Sequence, residues 1–218
     1  SSPKIHSGFV KFLAIAVLIL VTGVHSYNVK VGSRFQNIFT LFKLLLIVVF
    51  IICGFLLVEN PQNISIIPTS ESWADILNPA FSISLVFVSY AFSGWNASAY
   101  IAGEMDNPQK KLPLSLLRGT LIVTVLYFFL NFIFLFSAPT QELMGQKEVG
   151  FISANHIFGL TGGKIMGILI SILLISSISS MVIVGPRVTQ VMGEDYKLFK
   201  FLSFKKSNGV PLIAILFQ

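Results

Sequence analysis

The sequence predicts an all-α integral membrane protein, and three observations carry that expectation. Hydrophobic residues fill 54% of the 218 positions and charged residues only 11%, and the mean hydropathy is +0.82, beyond what a water-soluble domain of this size carries. Five apolar runs are each long enough to cross hydrocarbon, which takes about twenty helical residues. Stretches such as 44–50 and 126–136 are apolar nearly all round, with neither the polar stripe of a soluble core helix nor the alternation of a barrel strand. Helices satisfy every backbone polar group internally, which open sheets in lipid cannot do.

The predicted spans are 5–24, 38–58, 81–102, 114–138 and 165–184, with a sixth run starting at 210. Turn signals separate them. Asn60-Pro61, Asn78-Pro79, Asn107-Pro108 and Leu112-Pro113 fall at span ends, where proline does least harm to a helix. The first apolar stretch is too long for a signal-peptide core and no Met precedes it. The run from Pro211 to Gln218 is too short to cross, so the sequence is expected to be an internal piece of a longer protein. One incomplete transmembrane domain accounts for positions 1–218.

Charge sets an expected orientation. Lys30 and Arg34 follow the first span, Lys110, Lys111 and Arg118 follow the third, and Arg187, Lys197, Lys200, Lys205 and Lys206 follow the fifth. These segments are expected on the cytoplasmic side. The segment 59–79 has Glu59, Glu71 and Asp75 with no basic residue, and the segment after the fourth span mixes Lys147 and Lys164 with Glu142 and Glu148. Both are expected outside, in a multi-pass protein of the cell membrane. The formal net charge of +6 does not indicate nucleic acid, because apolar runs separate the basic residues and no continuous basic face can form.

The chemistry-bearing residues are few. Cys53 is the sole cysteine, which rules out an intrachain disulfide and gives no zinc-ligand spacing; a buried small apolar role fits it. No acidic residue lies within a span, no Gly-rich phosphate loop occurs, and His6, His25 and His156 are scattered near span edges. Neither an intramembrane aspartyl or metal-dependent hydrolase nor an ATP-driven pump fits this pattern, and no metal or cofactor is expected.

Two features stand out against the apolar background. The third span contains Ser89-Tyr90-Ala91-Phe92-Ser93-Gly94-Trp95-Asn96-Ala97-Ser98-Ala99-Tyr100. Small and polar residues there permit two readings, close helix packing or a broken helix. In the second, Gly94 weakens the helix and Ser93, Asn96 and Ser98 bond the released backbone. An unwound turn offers carbonyls at one half-helix end and N–H groups at the next, which suits the ammonium and carboxylate of a zwitterion. Lys43 is the other feature, the one charge well inside a span. It is either a functional intramembrane cation or a snorkelling side chain whose stem reaches the headgroups. Gly185-Pro186-Arg187 closes the fifth span, and a helix end with a basic anchor explains it.

Tyr90-Ala91-Phe92-Ser93-Gly94-Trp95-Asn96, followed by Glu104 and by Asn107-Pro108-Gln109-Lys110-Lys111-Leu112-Pro113, resembles the sixth helix and following loop of the amino acid, polyamine and organocation (APC) transporter superfamily. The L-type amino acid transporter branch is the nearest match. Val31-Gly32-Ser33-Arg34-Phe35-Gln36-Asn37 through Lys43 is similar to that family's fifth helix, and Gly185-Pro186-Arg187 with Gly193, Asp195 and Pro211 to the end of its eighth. The resemblance thus covers nearly the whole chain, as helices four to eight plus the start of nine. It implies a fragment of a LeuT-like fold of two inverted five-helix repeats, with broken first and sixth helices lining a central site and the remaining helices supplied by the rest of the transporter.

That resemblance also implies roles. Carbonyls at Tyr90, Ala91 and Ser93 would receive a substrate amine, Tyr90 would gate the side-chain pocket, and Gly94, Trp95 and Asn96 would shape the site. A lysine matching Lys43 stands where sodium binds in other members, which implies sodium-independent coupling to protons or obligatory exchange. Ser93 departs from the glycine that many relatives have. Some members pair through an outer-loop disulfide with a single-span glycoprotein, but Cys53 lies inside a predicted span. The expected function is a secondary active amino acid transporter, a permease or exchanger of the alternating-access type and not an enzyme. Polyamine or organocation permeation, a non-transporting nutrient sensor and a degenerate fragment are the alternatives.

Overall fold

A computed structural model describes residues 7–64, 67, 70–207 and 209–217. The predicted start of the first span at Ile5, and His6, lie outside the described residues, as do the side chains of Glu71 and Glu104. Among the described residues there is no strand, and the ordered backbone is helical. The helices are α1 (Ser7–Tyr27), α2 (Val29–Leu57), α3 (Ser70–Ile76), α4 (Pro79–Ala91), α5 (Ala97–Tyr100), α6 (Pro108–Ser137), α7 (Thr140–Leu143), α8 (Val149–Asp195) and α9 (Leu212–Phe217). Short 3₁₀ segments occupy Ala102–Glu104 and Lys197–Ser203.

Helices α1, α2, α6 and α8 are each long and apolar enough to cross a membrane. Together with the large apolar side chains exposed along them, they make this a multi-pass membrane protein, since water would not tolerate so much exposed hydrocarbon on a monomeric domain. The helices outrun the apolar windows. Helix α2 starts at Val29 rather than at the predicted 38, because its polar first turns contain no helix breaker before the hydrocarbon begins. Helix α8 extends over Val149–Asp195 against a predicted 165–184, and it runs on through Pro186 instead of ending at Gly185-Pro186-Arg187. It is also interrupted at Gly159, whose φ of 71° and ψ of 178° lie outside helical geometry in a region open to glycine.

The predicted run 81–102 is not one helix. Asn78 caps α4, its side chain accepting the N–H of Ala80 at 3.0 Å, with Pro79 in the first turn, the arrangement in which proline's missing N–H costs nothing. Helix α4 then ends at Ala91 and α5 starts at Ala97. Asn107 precedes α6 in the left-handed region, φ 61°, which asparagine tolerates better than most residues. Its carbonyl accepts the N–H groups of Lys110 and Lys111.

The chain forms two compact units, one of Ile47–Gly167 and one of Ser1–Leu46 with Ile168–Gln218. In the first, the end of α2 packs on α6 through aromatic rings: Phe50 lies 6.0 Å edge-on from Phe134, and Phe55 stacks 5.7 Å from Phe132. Gly54 permits this approach, since a Cβ there would press within 2.5 Å of fully buried Ile133. The Gln62 N–H bonds the Phe136 carbonyl at 2.9 Å. In the second unit, Val21, Val182, Val210 and Ile215 form a buried core, flanked by a polar seam on α8.

Candidate functional site

The backbone between α4 and α5 leaves the helical ladder. The N–H of Ser93 bonds the Tyr90 carbonyl at 3.0 Å, and the N–H of Ala97 bonds the Gly94 carbonyl at 3.0 Å. Both reach three residues back instead of the four of an α-helix, so the carbonyls of Ser89 and Ser93 lose their usual partners. The N–H groups of Ser98 and Ala99 follow the same tighter pattern to Trp95 and Asn96. Gly94 turns the chain with φ 95°, a conformation that penalises residues with a Cβ. Open space surrounds its Cα, so the reason for glycine here is backbone conformation and not crowding.

The side chains around the break serve that backbone. Ser93 Oγ donates to the Tyr90 carbonyl at 2.7 Å, so this carbonyl accepts from both the hydroxyl and the N–H of Ser93. The Ala91 carbonyl faces the hydroxyl of Tyr127 on α6 at 3.5 Å, and the Tyr127 ring meets Phe92 edge-on at 5.4 Å. Asn96 Nδ2 donates to the Tyr100 hydroxyl at 3.0 Å. Tyr90 and Trp95 are 74% and 64% exposed.

A cleft of about 320 Å³ opens between the break and α6, where Ser93, Trp95 and Ser98 face Ser115, Thr120 and Tyr127. Among the described residues, no charged side chain lines it. A positive group brought to this segment therefore meets carbonyl and hydroxyl oxygens in place of a carboxylate, whereas the N–H groups that open α5 are already bonded to the carbonyls of Gly94, Trp95 and Asn96.

The structure thus groups Tyr90, Ala91, Ser93, Gly94, Trp95 and Asn96 on one turn, as their contiguity requires. Lys43 belongs to the other unit. There it reaches from α2 to α8, its Nζ donating to Ser177 Oγ at 3.2 Å. Two further side chains bond serines of the same α8 segment: Gln36 Nε2 to Ser180 Oγ at 2.5 Å, and His25 Nε2 to Ser179 Oγ at 2.8 Å. Sequence reasoning missed Tyr127 and these serines. Ser176-Ser177-Ile178-Ser179-Ser180, a polar interruption in an apolar run, was the available signal, because hydroxyls in a span seek partners on neighbouring helices.

Comparison with known proteins adds an independent line. A profile of the amino acid permease family matches residues 2–218. The chain is similar to the b(0,+)-type amino acid transporter 1 of Oryctolagus cuniculus, 29% identical over 211 residues that cover 95% of this chain and 42% of the relative. It is similar to the serine/threonine exchanger SteT of Bacillus subtilis (strain 168), 30% identical over 217 residues, 97% of this chain and 48% of the relative. The Asc-type amino acid transporter 1 of Mus musculus is 32% identical over 152 residues, 68% of this chain and 28% of that protein. The chain spans less than half the length of each of these relatives.

Proposed function

The chain belongs to the amino acid permease family, and from that premise we propose that it is the part of a secondary amino acid transporter that holds the substrate's backbone. The observation that carries this reading is the break between Ala91 and Ala97, with its tighter hydrogen bonding and the positive φ of Gly94. The carbonyls of Ser89 and Ser93, released from helical bonding, suit the ammonium group common to all amino acids. Side-chain preference then falls to Tyr90 and Trp95, which stand clear of the backbone contacts. The names of the relatives, amino acid transporters and an exchanger, support the same substrate class.

In this proposal the protein works by alternating access as a permease or exchanger of the cell membrane, independent of sodium, with Lys43 as the coupling group. The Lys43–Ser177 bond between α2 and α8 supports a fixed cation in the role that a bound ion has elsewhere, since an intramembrane charge is retained at a cost in stability. The basic segments lie in the cytoplasm and the acidic segment 59–79 outside. Lys110 and Lys111, at the start of α6, support that orientation by their positive charge. The remaining helices of the full-length transporter complete the site.

A polyamine or organocation permease is less well supported, because a substrate without a carboxylate would call for an acidic residue and the cleft has none among the described residues. Uptake by the full-length protein in proteoliposomes, competed by each amino acid in turn and repeated with and without sodium, tests the proposal. Competition by amino acids but not by polyamines is the expected result. Saturable binding without flux would identify a sensor and overturn transport.

A further inference from the structure

We infer that the segment Lys197–Ser203 with its flanking residues is an interfacial binding surface for anionic lipid headgroups. In a 3₁₀ helix, residues three apart lie one above another, which divides this segment into three faces. Phe199 and Leu202 share the first, and Leu202 is buried at 2% exposure. This face rests on the end of α8 at Gly193, where an added Cβ would meet the backbone of Phe199 and Ser203 within 3.0 Å. The absence of a side chain at Gly193 is what lets the segment lie directly on the helix.

The second face carries Leu198, Phe201 and, one residue beyond the segment, Phe204. Leu198 is 81% exposed and both phenylalanines are more than half exposed. The third face carries Lys197 and Lys200, exposed beside the apolar face. Lys206 follows at a turn closed by its own N–H to the Val210 carbonyl and by the Gly209 N–H to its carbonyl, both 2.9 Å. Glu194 takes Lys205 at 3.5 Å. Among the described residues, Lys197, Lys200 and Lys206 have no acidic side chain within ion-pair distance.

Depth follows from a contact. The Phe201 ring lies 6.4 Å edge-on from that of Phe217 in α9, so the segment is level with the apolar run that begins at Val210 and does not stand off in solvent. A rigid surface at that depth, with exposed aromatic residues beside lysines, has the composition of an interfacial anchor: the rings enter the acyl boundary and the ammonium groups rise to the headgroups. Three uncompensated cations select anionic over zwitterionic headgroups.

The test uses the full-length protein in detergent, titrated with phosphatidylglycerol or phosphatidylcholine and followed by native mass spectrometry. Combining Lys197→Gln, Lys200→Gln and Lys206→Gln should weaken phosphatidylglycerol binding roughly a hundredfold, about fivefold for each lysine, and leave phosphatidylcholine binding unchanged. Lys147→Gln, the same kind of substitution elsewhere, should alter neither. Unchanged phosphatidylglycerol binding in the triple variant overturns the inference. So does a Leu198→Ser and Phe204→Ser pair that lowers thermal stability without changing binding of either lipid, since the apolar face would then be covered by another part of the protein. Because the readout is lipid binding, a protein that carries no amino acid would leave this result standing while refuting transport.

Discussion

His25 and Ser179, separated by 154 positions in sequence, share a buried hydrogen bond of 2.8 Å between the imidazole Nε2 and the serine Oγ. The imidazole also fills the space beside Gly32, where any Cβ would collide with Nδ1. The ring is thus held between α2 and α8, with Phe35 edge-on at 6.1 Å. A glycine in the early turns of α2 and a histidine at the end of α1 are parts of one packing arrangement.

Gly32→Ala should therefore displace His25 and strip Ser179 of its partner. Overpacking of this kind costs about 1–3 kcal/mol. Thermal unfolding of the full-length protein in detergent should show a lowered midpoint for Gly32→Ala and a smaller decrease for Ser179→Ala, which opens little space. Gly23→Ala, facing open space, should leave the midpoint unchanged.

Lys43→Ala in the full-length protein should abolish uptake or its pH dependence while expression stays normal. Ser177→Ala removes only the hydroxyl that accepts from Nζ and should leave residual transport with an altered pH profile. Measuring uptake between about pH 5 and pH 8, a range wide enough to titrate most groups poised near neutrality, distinguishes the two roles of the lysine. A snorkelling lysine predicts no change for either variant.

The class and the family were legible in the sequence because both rest on long contiguous signals: apolar runs that leave no polar stripe, and the motif from Tyr90 to Pro113. Gly94 also announces itself, since it stands alone among small polar residues. Gly159 does not. It precedes Leu160-Thr161-Gly162-Gly163, and nothing local says which of three glycines leaves helical geometry. The bonds of Lys43, Gln36 and His25 to one serine-rich segment were illegible for another reason. Each joins residues more than 130 positions apart, and only the packing of α1 and α2 on α8 selects the partner among several adjacent serines.

Orientation can be read by labelling. With cysteine introduced at Leu77, 84% exposed, and separately at Gln109, an impermeant reagent on intact cells should label the first only, because acidic segments face outward and basic ones inward. Labelling at Gln109 alone, or at both positions, would contradict the topology.

Gly94→Ala places a Cβ on a residue with φ 95°, a strain of about 1–2 kcal/mol, so the break should relax toward a continuous helix. Apparent affinity should fall for every transported amino acid by a similar factor, roughly tenfold for that strain. Tyr90→Ala should instead reorder the amino acids by side chain. Competition assays with a panel of amino acids separate a uniform loss from a reordering.

The most direct measurement is the distance from the substrate's amine nitrogen to the backbone oxygens of residues 89–94 in a substrate-bound structure of the full-length protein. At least one such oxygen should lie within about 3.2 Å, the reach of an N–H to oxygen bond, with the turn between α4 and α5 retained. An amine held by a side-chain carboxylate, or an unbroken helical ladder from Pro79 through Tyr100, would contradict it.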